Sequence, residues 1–295
     1  MKFKFHKLWY LAGLLALGAF ASGFAYRQAR PRDFAKIYFF DVGQGDGIYI
    51  RTPQGNDVVV DSGPGDVMLA KLGAAMPFAD RTVELVVLTH PHADHISGMV
   101  EILKRYKVEK VILPEAEYDS ATYRALLDLL SEKRADVIRP RLGQRIFLDG
   151  TTVLDIDYPA LGGAENHPAD VNDVSIVARL SVGRTNVLLT GDAGKDIERR
   201  LSDYKIPLEA EILKVGHHGS KHSTGAELLS AVQPRYSVIS VGAKNTYGHP
   251  HEEVLGTLSR SSTTILRTDE RGDVVFRLYP ERVELASPAG ELDSR

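Results

Sequence analysis

Eight of the ten histidines in this 295-residue chain fall into three short clusters: residues 90–95, 217–222 and 249–251. The first cluster reads THPHADH and directly follows the apolar segment ELVVL. A loop at the carboxyl end of a buried strand can bring several side chains to one point. His90 and His92 are spaced so that two imidazoles can reach one ion, while Asp94 and His95 can face a second. Imidazole and carboxylate groups suit Zn²⁺, Fe²⁺ or Mn²⁺, so this cluster predicts a divalent metal site.

The composition restricts the chemistry further. The chain contains no cysteine, which excludes disulfides, thiolate metal ligands and a cysteine nucleophile. Any bound metal must therefore be held by imidazole and carboxylate groups. The formal net charge of −3 gives no overall attraction to nucleic acid, so a polyanionic substrate would need a local basic patch.

The first 26 residues differ from the remainder of the chain. Lys2, Lys4 and Lys7 precede an apolar run from Leu8 to Ala25, and no acidic residue occurs before Asp33. This pattern predicts a secretory signal or an N-terminal membrane anchor at residues 1–26, with a buried core helix as the alternative. We therefore expect an exported protein whose N-terminal segment meets the membrane or the export machinery.

Strand and helix signals alternate through the rest of the chain without an obvious linker. The apolar segment 84–89 indicates a buried strand, and Asp149-Gly150 indicates a hairpin turn. The periodicity of Gly98–Tyr106 predicts an amphipathic helix. We expect an α/β fold with two mixed sheets flanked by helices, rather than a doubly wound parallel sheet. The predicted segments are a linker at 27–35, one catalytic domain at 36–286 and a polar tail at 287–295.

The motifs resemble those of a known family. HxHxDH after an apolar strand is similar to the signature of the metallo-β-lactamase superfamily. Residues from about 36 to 280 more narrowly resemble the C-terminal metallo-hydrolase domain of ComEC/Rec2 DNA-uptake proteins and their stand-alone relatives. The matching segments include VVVDSGP (58–64), LTHPHADHISG (88–98), LLTGD (188–192), LKVGHHGSKHS (213–223) and NTYGHPHEEVLGTL (245–258). The resemblance implies an αββα sandwich with two metal ions, Zn²⁺ or Mn²⁺, at one edge of the sheets.

Other segments supply further candidate ligands. Asp192 follows an apolar strand, at the position where the superfamily carries a carboxylate that bridges two ions. The alternative role for Asp192 is to cap the helix that follows it. His217 and His218 also follow an apolar strand. Adjacent residues on a strand point to opposite faces, so we expect one to be a metal ligand and the other a hydrogen-bonding or acid group. The sequence leaves open which is which.

One position departs from the superfamily pattern. Most members supply a third histidine to the first ion, whereas the corresponding segment here reads Asp170-Val171-Asn172-Asp173. An oxygen ligand from Asn172 or Asp173 would weaken the site for Zn²⁺ and favour Mn²⁺ relatively. His167 is a weaker candidate for the same role.

Several polar residues are candidates for supporting roles. Asp61 ends an apolar strand and could hold the backbone or a ligand histidine, or could simply belong to a turn. Asp41 and Asp46 in DVGQGD have the same two alternatives. Tyr247 and His249 are candidates for phosphate contact or leaving-group protonation, although their segment could instead cap a helix. Ser220 is a candidate substrate contact.

These residues together predict a metal-dependent hydrolase. Two ions would bind a shared water and lower its pKa, so that the resulting hydroxide attacks without a protein nucleophile. Asp94, His218 and His249 are the candidate catalytic groups. The first hypothesis for the substrate is DNA or another phosphodiester outside the cytoplasm. The alternatives are a small ester (a phosphorylcholine ester, lactone or amide) and a non-catalytic accessory module of DNA uptake. The sequence does not indicate an oligomeric state.

Overall fold

Two mixed β-sheets form the centre of the computed structural model, which describes residues 9–10, 12–18, 31–160 and 170–286. The strands of the first sheet are β1 (Ala35–Phe39), β2 (Ile48–Arg51), β3 (Asp57–Val60), β4 (Thr82–Val87), β5 (Lys107–Ile112), β6 (Asp136–Ile138), β14 (Val274–Tyr279) and β15 (Arg282–Ala286). The strands of the second sheet are β7 (Arg145–Phe147), β8 (Thr152–Tyr158), β9 (Val177–Val182), β10 (Thr185–Leu189), β11 (Ile212–Lys214), β12 (Tyr236–Ile239) and β13 (Thr264–Arg267).

Each sheet is antiparallel in one part and parallel in the other. The first sheet has the order β15-β14-β1-β2-β3-β4-β5-β6, and the strands from β3 to β6 are parallel. The second has the order β13-β12-β11-β10-β9-β8-β7, and the strands from β13 to β10 are parallel. Loops that leave the carboxyl ends of neighbouring parallel strands emerge at the same edge of a sheet, where they can build a site.

The helices cover the outer faces of the sheets. They are α1 (Val67–Ala75), α2 (Ala93–Arg105), α3 (Ala121–Glu132), α4 (Lys195–Asp203), α5 (Ala226–Val232), α6 (Glu252–Arg260) and the short α7 (Thr268–Arg271). The first outer core joins α1–α3 to the first sheet and includes Met68, Val86, Met99 and Leu126. The second joins α4–α6 to the other sheet and includes Leu188, Ile197, Leu229 and Val254.

A third core lies between the two sheets. Strand side chains alternate between faces, so Val86 packs towards the helices while Leu85 and Val87 pack towards the opposite sheet. These meet apolar residues such as Leu180 and Val187 from the second sheet. The layers are therefore helix, sheet, sheet and helix, which confirms the predicted fold class.

Some predicted element boundaries were wrong. The helix predicted at Gly98–Tyr106 begins at Ala93, because His92 takes the extended N-cap conformation and Asp94 lies in the favourable first turn. Asp94 and His95 therefore lie on a helix, not in the predicted loop. Helix α1 and strand β6 were not predicted. Only Met68 and Leu72 are buried in α1, and β6 has three residues, so neither leaves a clear periodic pattern.

The N-terminal residues 1–32 form a unit separate from residues 33–295. Residues 9–10 and 12–18 are helical, and the Trp9 and Leu14 side chains are exposed. Among the helices that the structure describes, none has both the length and the apolar character needed to span a bilayer. Most of the predicted export segment, residues 161–169 with His167, and the tail at 287–295 lie outside the described residues. The predicted segment boundaries stay a prediction.

Candidate metal centre

The candidate metal centre lies where the carboxyl ends of strands from both sheets face each other. Asp61 follows β3 and His90 follows β4 in the first sheet. Asp192 follows β10 in the second sheet, and His218 lies in a turn, Gly216–Gly219, after β11. The parallel order of these strands places their ends together, so residues more than 150 positions apart meet at one point.

The Asp192 carboxylate is the centre of this cluster. Its Oδ2 atom lies 3.4 Å from His95 Nε2 and 3.5 Å from His218 Nε2. The same oxygen is 3.7 Å from His217 Nε2 and 3.8 Å from His90 Nε2. Four imidazoles from two separate parts of the chain thus surround one carboxylate oxygen.

The Asp61 carboxylate fixes the orientation of His95. Its Oδ2 accepts a hydrogen bond from His95 Nδ1 at 2.8 Å. Asp61 Oδ1 accepts a hydrogen bond from the Thr89 backbone N–H at 2.8 Å, and Oδ2 accepts one from the Thr89 hydroxyl at 2.6 Å. These contacts use the Nδ1 side of the ring, so His95 presents Nε2 to Asp192.

His218 is held in a similar way on the opposite side of the cluster. Its buried ring places Nδ1 2.9 Å from the carbonyl oxygen of Ser240, and its Nε2 lies 3.5 Å from Asp94 Oδ2. The His217 side chain is 30% exposed. The expectation that adjacent strand residues point to opposite faces was wrong, because both histidines lie in a turn with φ values of 46° and 54°. Both rings therefore reach Asp192.

His92 completes the group of histidines in the first motif. Its Nδ1 lies 3.1 Å from His90 Nε2, and its ring contacts the edge of Tyr118 at a centroid distance of 5.4 Å. Thr89 Oγ1 in turn lies 3.0 Å from His90 Nδ1. The ring nitrogens of His90 and His92 thus face one another beside the cluster.

A buried ion pair lies next to the centre, and the sequence motifs did not predict it. Lys214 is fully buried and pairs with Asp46, which comes from the β1–β2 loop. Its Nζ donates a hydrogen bond to the Gly191 carbonyl at 2.9 Å and lies 3.7 Å from Asp192 Oδ1. Burial works to lower the pKa of Lys214, but Asp46 and Asp192 outweigh it and raise the pKa. A lysine within the apolar segment EILKV was the available sequence signal.

The arrangement fits bound metal. Ligand atoms of His90, His95 and Asp192 lie within 4.8 Å of one another, and so do those of Asp94, His95 and His218. Buried polar atoms normally have a hydrogen-bond partner. Several at this centre have none within the described part of the chain: His95 Nε2, His218 Nε2, Asp46 Oδ1, Asp192 Oδ1 and His249 Nδ1. Imidazole and carboxylate atoms left in this state are suitable ligands for divalent cations.

The pKa shifts within the cluster also favour bound cations. Burial works to raise the pKa of Asp192, but His218 and His95 hold it well below the ordinary value. Burial works to lower the pKa of His95, but Asp192 and Asp61 raise it well above the ordinary value. Burial and the neighbouring His95 lower the pKa of His90. The carboxylates therefore require positive charge at this position, which divalent ions could supply in place of protons.

Two predicted ligands from the 170–173 segment are not joined to the cluster. The Asn172 backbone N–H donates to Asp170 Oδ1 at 2.9 Å, and the Asp173 carbonyl accepts from the Tyr158 hydroxyl at 3.0 Å. No hydrogen bond or ion pair within residues 31–160 and 170–286 connects Asn172 or Asp173 to the metal centre. The buried, unpartnered Oδ1 is the one feature that keeps Asn172 a candidate ligand.

The remaining supporting residues divide between the centre and nearby loops. Asp46 Oδ1 lies 3.6 Å from His218 Nδ1, so Asp46 is part of the centre. Asp41 instead accepts a hydrogen bond from the Gly43 backbone N–H at 3.2 Å and stabilises its own loop. Ser220 donates its backbone N–H to the His217 carbonyl at 2.8 Å, which stabilises the turn that carries the histidine pair.

His249 and Tyr247 extend the centre towards solvent. The His249 ring lies 5.5 Å from that of His217 and 5.8 Å from that of Tyr247, and Tyr247 is 65% exposed. Burial, His217 and His218 lower the pKa of His249 to about 4. Its imidazole is therefore uncharged at neutral pH, which suits a hydrogen bond to a substrate better than proton donation by an imidazolium.

Sequence comparisons connect this geometry to known proteins. The sequence model of a protein family described as the Metallo-beta-lactamase superfamily matches residues 40–243. The chain is 31% identical to ComE operon protein 3 of Bacillus subtilis over 266 residues, which cover 84% of the chain and 33% of that protein. It is 30% identical to competence protein ComA of Neisseria gonorrhoeae over 270 residues, or 90% of the chain and 35% of that protein. The chain spans about a third of the length of these curated relatives.

Solved structures share the fold at low sequence identity. CmlA, a diiron β-hydroxylase from Streptomyces venezuelae, matches with a TM-score of 0.52 at 16% identity, covering 84% of this chain and 55% of CmlA. The metallo-β-lactamase fold protein YhfI from Bacillus subtilis matches with a TM-score of 0.50 at 14% identity, covering 79% of this chain and 95% of YhfI. At this identity the likeness concerns the fold alone, since one fold can carry different reactions.

Proposed function

Because the chain belongs to the metallo-β-lactamase superfamily of metal-dependent hydrolases, we propose that it is a phosphodiesterase that acts outside the cytoplasm with two divalent ions. The observation that carries the proposal is the convergence of ring nitrogens from both halves of the fold on Asp192. The buried, unpartnered Nε2 atoms of His95 and His218 support it, because cations would satisfy them.

The side chains divide into two groups of proposed ligands. His90 and His92 would hold the first ion, with Asn172 as a further candidate oxygen ligand. The second ion would be held by Asp94, His95 and His218, whose ligand atoms lie within 4.8 Å of one another. Asp192 lies between the two groups. When bound, two divalent ions would supply water of lowered pKa and electrostatic stabilisation of the leaving oxygen.

The chain's own residues would orient the reaction. Asp94 is the carboxylate of the cluster with substantial exposure, 32%. Burial works to raise its pKa, but His218 and His95 hold it below the ordinary value, so Asp94 stays ionised and would orient an attacking water by accepting its hydrogen bond. His249 would donate a hydrogen bond to a phosphoryl oxygen from its uncharged ring. His217, at the exposed side of the turn, faces the same space as His249.

A phosphodiester is proposed as the substrate because the chain is similar to DNA-uptake proteins. The motifs resemble those of DNA-uptake proteins. Of the two relatives described above, one is named a competence protein and the other a protein of the ComE operon. Action outside the cytoplasm is supported by the basic head and apolar run at residues 1–26. A substrate that is a small ester, and a non-catalytic role in DNA uptake, are the competing outcomes of the test.

The test measures hydrolysis by the purified chain with Mn²⁺ and, separately, with Zn²⁺. The substrates are a single-stranded oligonucleotide, bis-p-nitrophenyl phosphate and a lactone. We expect turnover of both phosphodiesters. His92→Ala and Asp192→Ala should each lower kcat/KM by more than about 100-fold, since even residues behind metal ligands contribute that much. Asp136→Ala, an exposed carboxylate on β6, is the matched control and should leave kcat/KM unchanged.

The other outcomes are equally clear. Rapid lactone turnover without phosphodiester cleavage would make the chain a small-ester hydrolase. Metal content near zero after purification without chelator, together with no turnover of any substrate, would favour the non-catalytic role. Activity that survives Asp192→Ala would contradict the proposed centre itself.

A further inference from the structure

An exposed tyrosine lies at the solvent side of the metal centre. Tyr247 is 65% exposed and stacks on His249, with ring centroids 5.8 Å apart and an interplanar angle of 23°. His249 in turn lies 5.5 Å from His217 and 6.4 Å from His218. A single imidazole therefore separates the Tyr247 ring from the histidines that surround Asp192.

The Asn245 side chain holds this tyrosine in place. Asn245 Oδ1 accepts hydrogen bonds from the backbone N–H groups of Tyr247 and His249, at 3.2 and 3.0 Å. Asn245 Nδ2 donates to the carbonyl oxygens of Gly242 and His249, at 2.9 and 2.8 Å. Four hydrogen bonds from one side chain fix the loop, so little conformational freedom would be lost when a ligand contacts Tyr247.

Two exposed lysines lie on loops at this side of the centre. Lys244 is exposed in the same loop, and Lys221 is exposed in the neighbouring loop, where its backbone N–H donates to His251 Nδ1 at 3.2 Å. Neither lysine forms an ion pair within the described residues. The exposed Glu252 and Glu253 offset part of this charge, but Arg267 interacts electrostatically with Glu252. This side of the centre therefore combines an exposed aromatic ring with two exposed lysines on its loops.

Two other exposed aromatic residues lack the features that distinguish Tyr247. Phe78 is 84% exposed and Phe147 is 73% exposed, yet neither contacts another ring among the described residues. Tyr247 differs because the His249 ring supports one of its faces, Asn245 orders its backbone, and His249 in turn lies beside the rings of His217 and His218.

We propose that Tyr247 is the stacking platform for an unpaired nucleobase of a single-stranded nucleic acid, with the adjoining phosphodiester directed to the metal centre. This inference rests on the proposed phosphodiesterase function and specifies its substrate. Stacking on an aromatic side chain tolerates every base, because each has a π-face. Bases within a duplex are already stacked and paired, so the platform selects single strands. Lys221 and Lys244 would contact the neighbouring phosphates.

The experiment measures binding without turnover. The 295-residue chain, loaded with Mn²⁺, is titrated into fluorescein-labelled eight-nucleotide oligomers. Their phosphorothioate linkages resist hydrolysis, and fluorescence anisotropy gives Kd. One oligomer carries thymine bases, one is abasic, one is a duplex, and one carries ribose and uracil. We expect the thymine oligomer to bind about tenfold more tightly than the abasic oligomer, as stacking on one aromatic ring allows. Comparable binding of the uracil oligomer would mean that the platform accepts RNA and DNA alike, and weaker binding would restrict it to DNA.

Variants identify the residue responsible. Tyr247→Ala should remove the preference for base-bearing oligomers, whereas Tyr247→Phe should retain it because the π-face remains. Phe147→Ala, the exposed aromatic control on β7, should leave the preference unchanged. Duplex binding should not respond to Tyr247→Ala.

Failure of this inference can be distinguished from failure of the proposed function. Equal binding of the thymine and abasic oligomers by the unmodified chain, or a preference that persists in Tyr247→Ala, would overturn the platform even if phosphodiesters are hydrolysed. A preference that depends on Tyr247 in a chain that hydrolyses no phosphodiester would retain the platform and contradict the proposed phosphodiesterase.

Discussion

At the scale of single residues, three histidines of the centre are oriented through the ring nitrogen that faces away from it. Nδ1 of His95 contacts Asp61, Nδ1 of His218 contacts the Ser240 carbonyl, and Nδ1 of His90 contacts the Thr89 hydroxyl. Each contact directs Nε2 towards the cluster. Such contacts fix the ring and the tautomer of a metal-ligating histidine.

The two adjacent histidines should differ when each is removed. His218 is buried and shares a ligand group with Asp94 and His95, whereas His217 is partly exposed and belongs to no such group. His218→Ala should therefore reduce bound metal from about two equivalents to about one, because the second group loses a ligand. His217→Ala should retain about two equivalents. Elemental analysis of the purified variants gives the metal-to-protein ratio.

His222→Ala is the control for this comparison, because His222 is an exposed neighbour on the same loop and should not affect metal content. Loss of one equivalent in His217→Ala, with full occupancy in His218→Ala, would reverse the assignment of the ligand.

His217 and His218 show which features of the site could not be predicted from the sequence. The cluster THPHADH predicted a metal site because its residue types and spacing are sufficient to indicate one. The choice between His217 and His218 depended on backbone conformation, and the assumption of strand geometry failed because both residues adopt positive φ. Lys214 was missed for a related reason, since only the folded structure shows that Asp46 lies beside it.

At the scale of elements, the loop between β1 and β2 packs directly against the first turn of α2. A Cβ atom at Gly45 would collide with the carbonyl oxygen of Asp94, and Gly45 has a φ of +132°. This close approach brings Asp46 to the cluster while α2 supplies Asp94 and His95. The glycines of DVGQGD are typical of a tight loop, but the contact of this loop with α2 could not be read from the local sequence.

Gly45→Ala should disrupt this contact. The added methyl group meets a backbone carbonyl that cannot move without shifting the first turn of α2. We expect a loss of about 3 kcal/mol or more in the free energy of unfolding, from strain and overpacking together. Bound metal should fall as well, because Asp94 and His95 are displaced. Denaturant unfolding and elemental analysis measure the two effects.

Gly43→Ala provides a matched control in the same loop. Gly43 also has a positive φ, +80°, but a Cβ atom there would meet nothing within 4 Å. The control should cost only about 1–2 kcal/mol for the left-handed backbone and should retain metal. Equal effects of the two substitutions would mean that backbone conformation, and not the contact with Asp94, makes glycine necessary at position 45.

At the scale of the whole molecule, the metal centre connects the two halves of the αββα sandwich. Asp94 and His95 come from α2, beside the first sheet, while Asp192 and His218 follow strands of the second sheet. The alternation of strands and helices was sufficient to predict the layers. The loops that meet between the layers could not be predicted, because their meeting depends on the order of the strands in each sheet. That order is set by long-range pairing, such as that of β1 with β14.

Because the centre joins residues from both sheets, metal binding should stabilise the whole fold. Without cations, the buried Asp46, Asp61 and Asp192 share the charges of Lys214 and the neighbouring histidines, and several ligand atoms lack partners. Ligands that bind only the folded state stabilise it, by about 4 kcal/mol at a concentration of 1,000 Kd. For a chain of this size, removal of the ions should lower Tm by about 10 °C. Calorimetry before and after EDTA treatment, followed by return of Mn²⁺, measures the change.

Asp192→Ala separates this effect from any action of EDTA elsewhere. Its Tm should already be changed by the substitution, but EDTA should shift it by less than about 2 °C because the carboxylate that lies between the two ligand groups is absent. The Tm of Asp136→Ala should respond to EDTA like that of the unmodified chain. If the unmodified chain shows no EDTA-dependent shift while its Mn²⁺ is removed, the ions do not join the two sheets energetically, and the centre would be assembled by the protein's own ion pairs, chiefly Lys214 with Asp46.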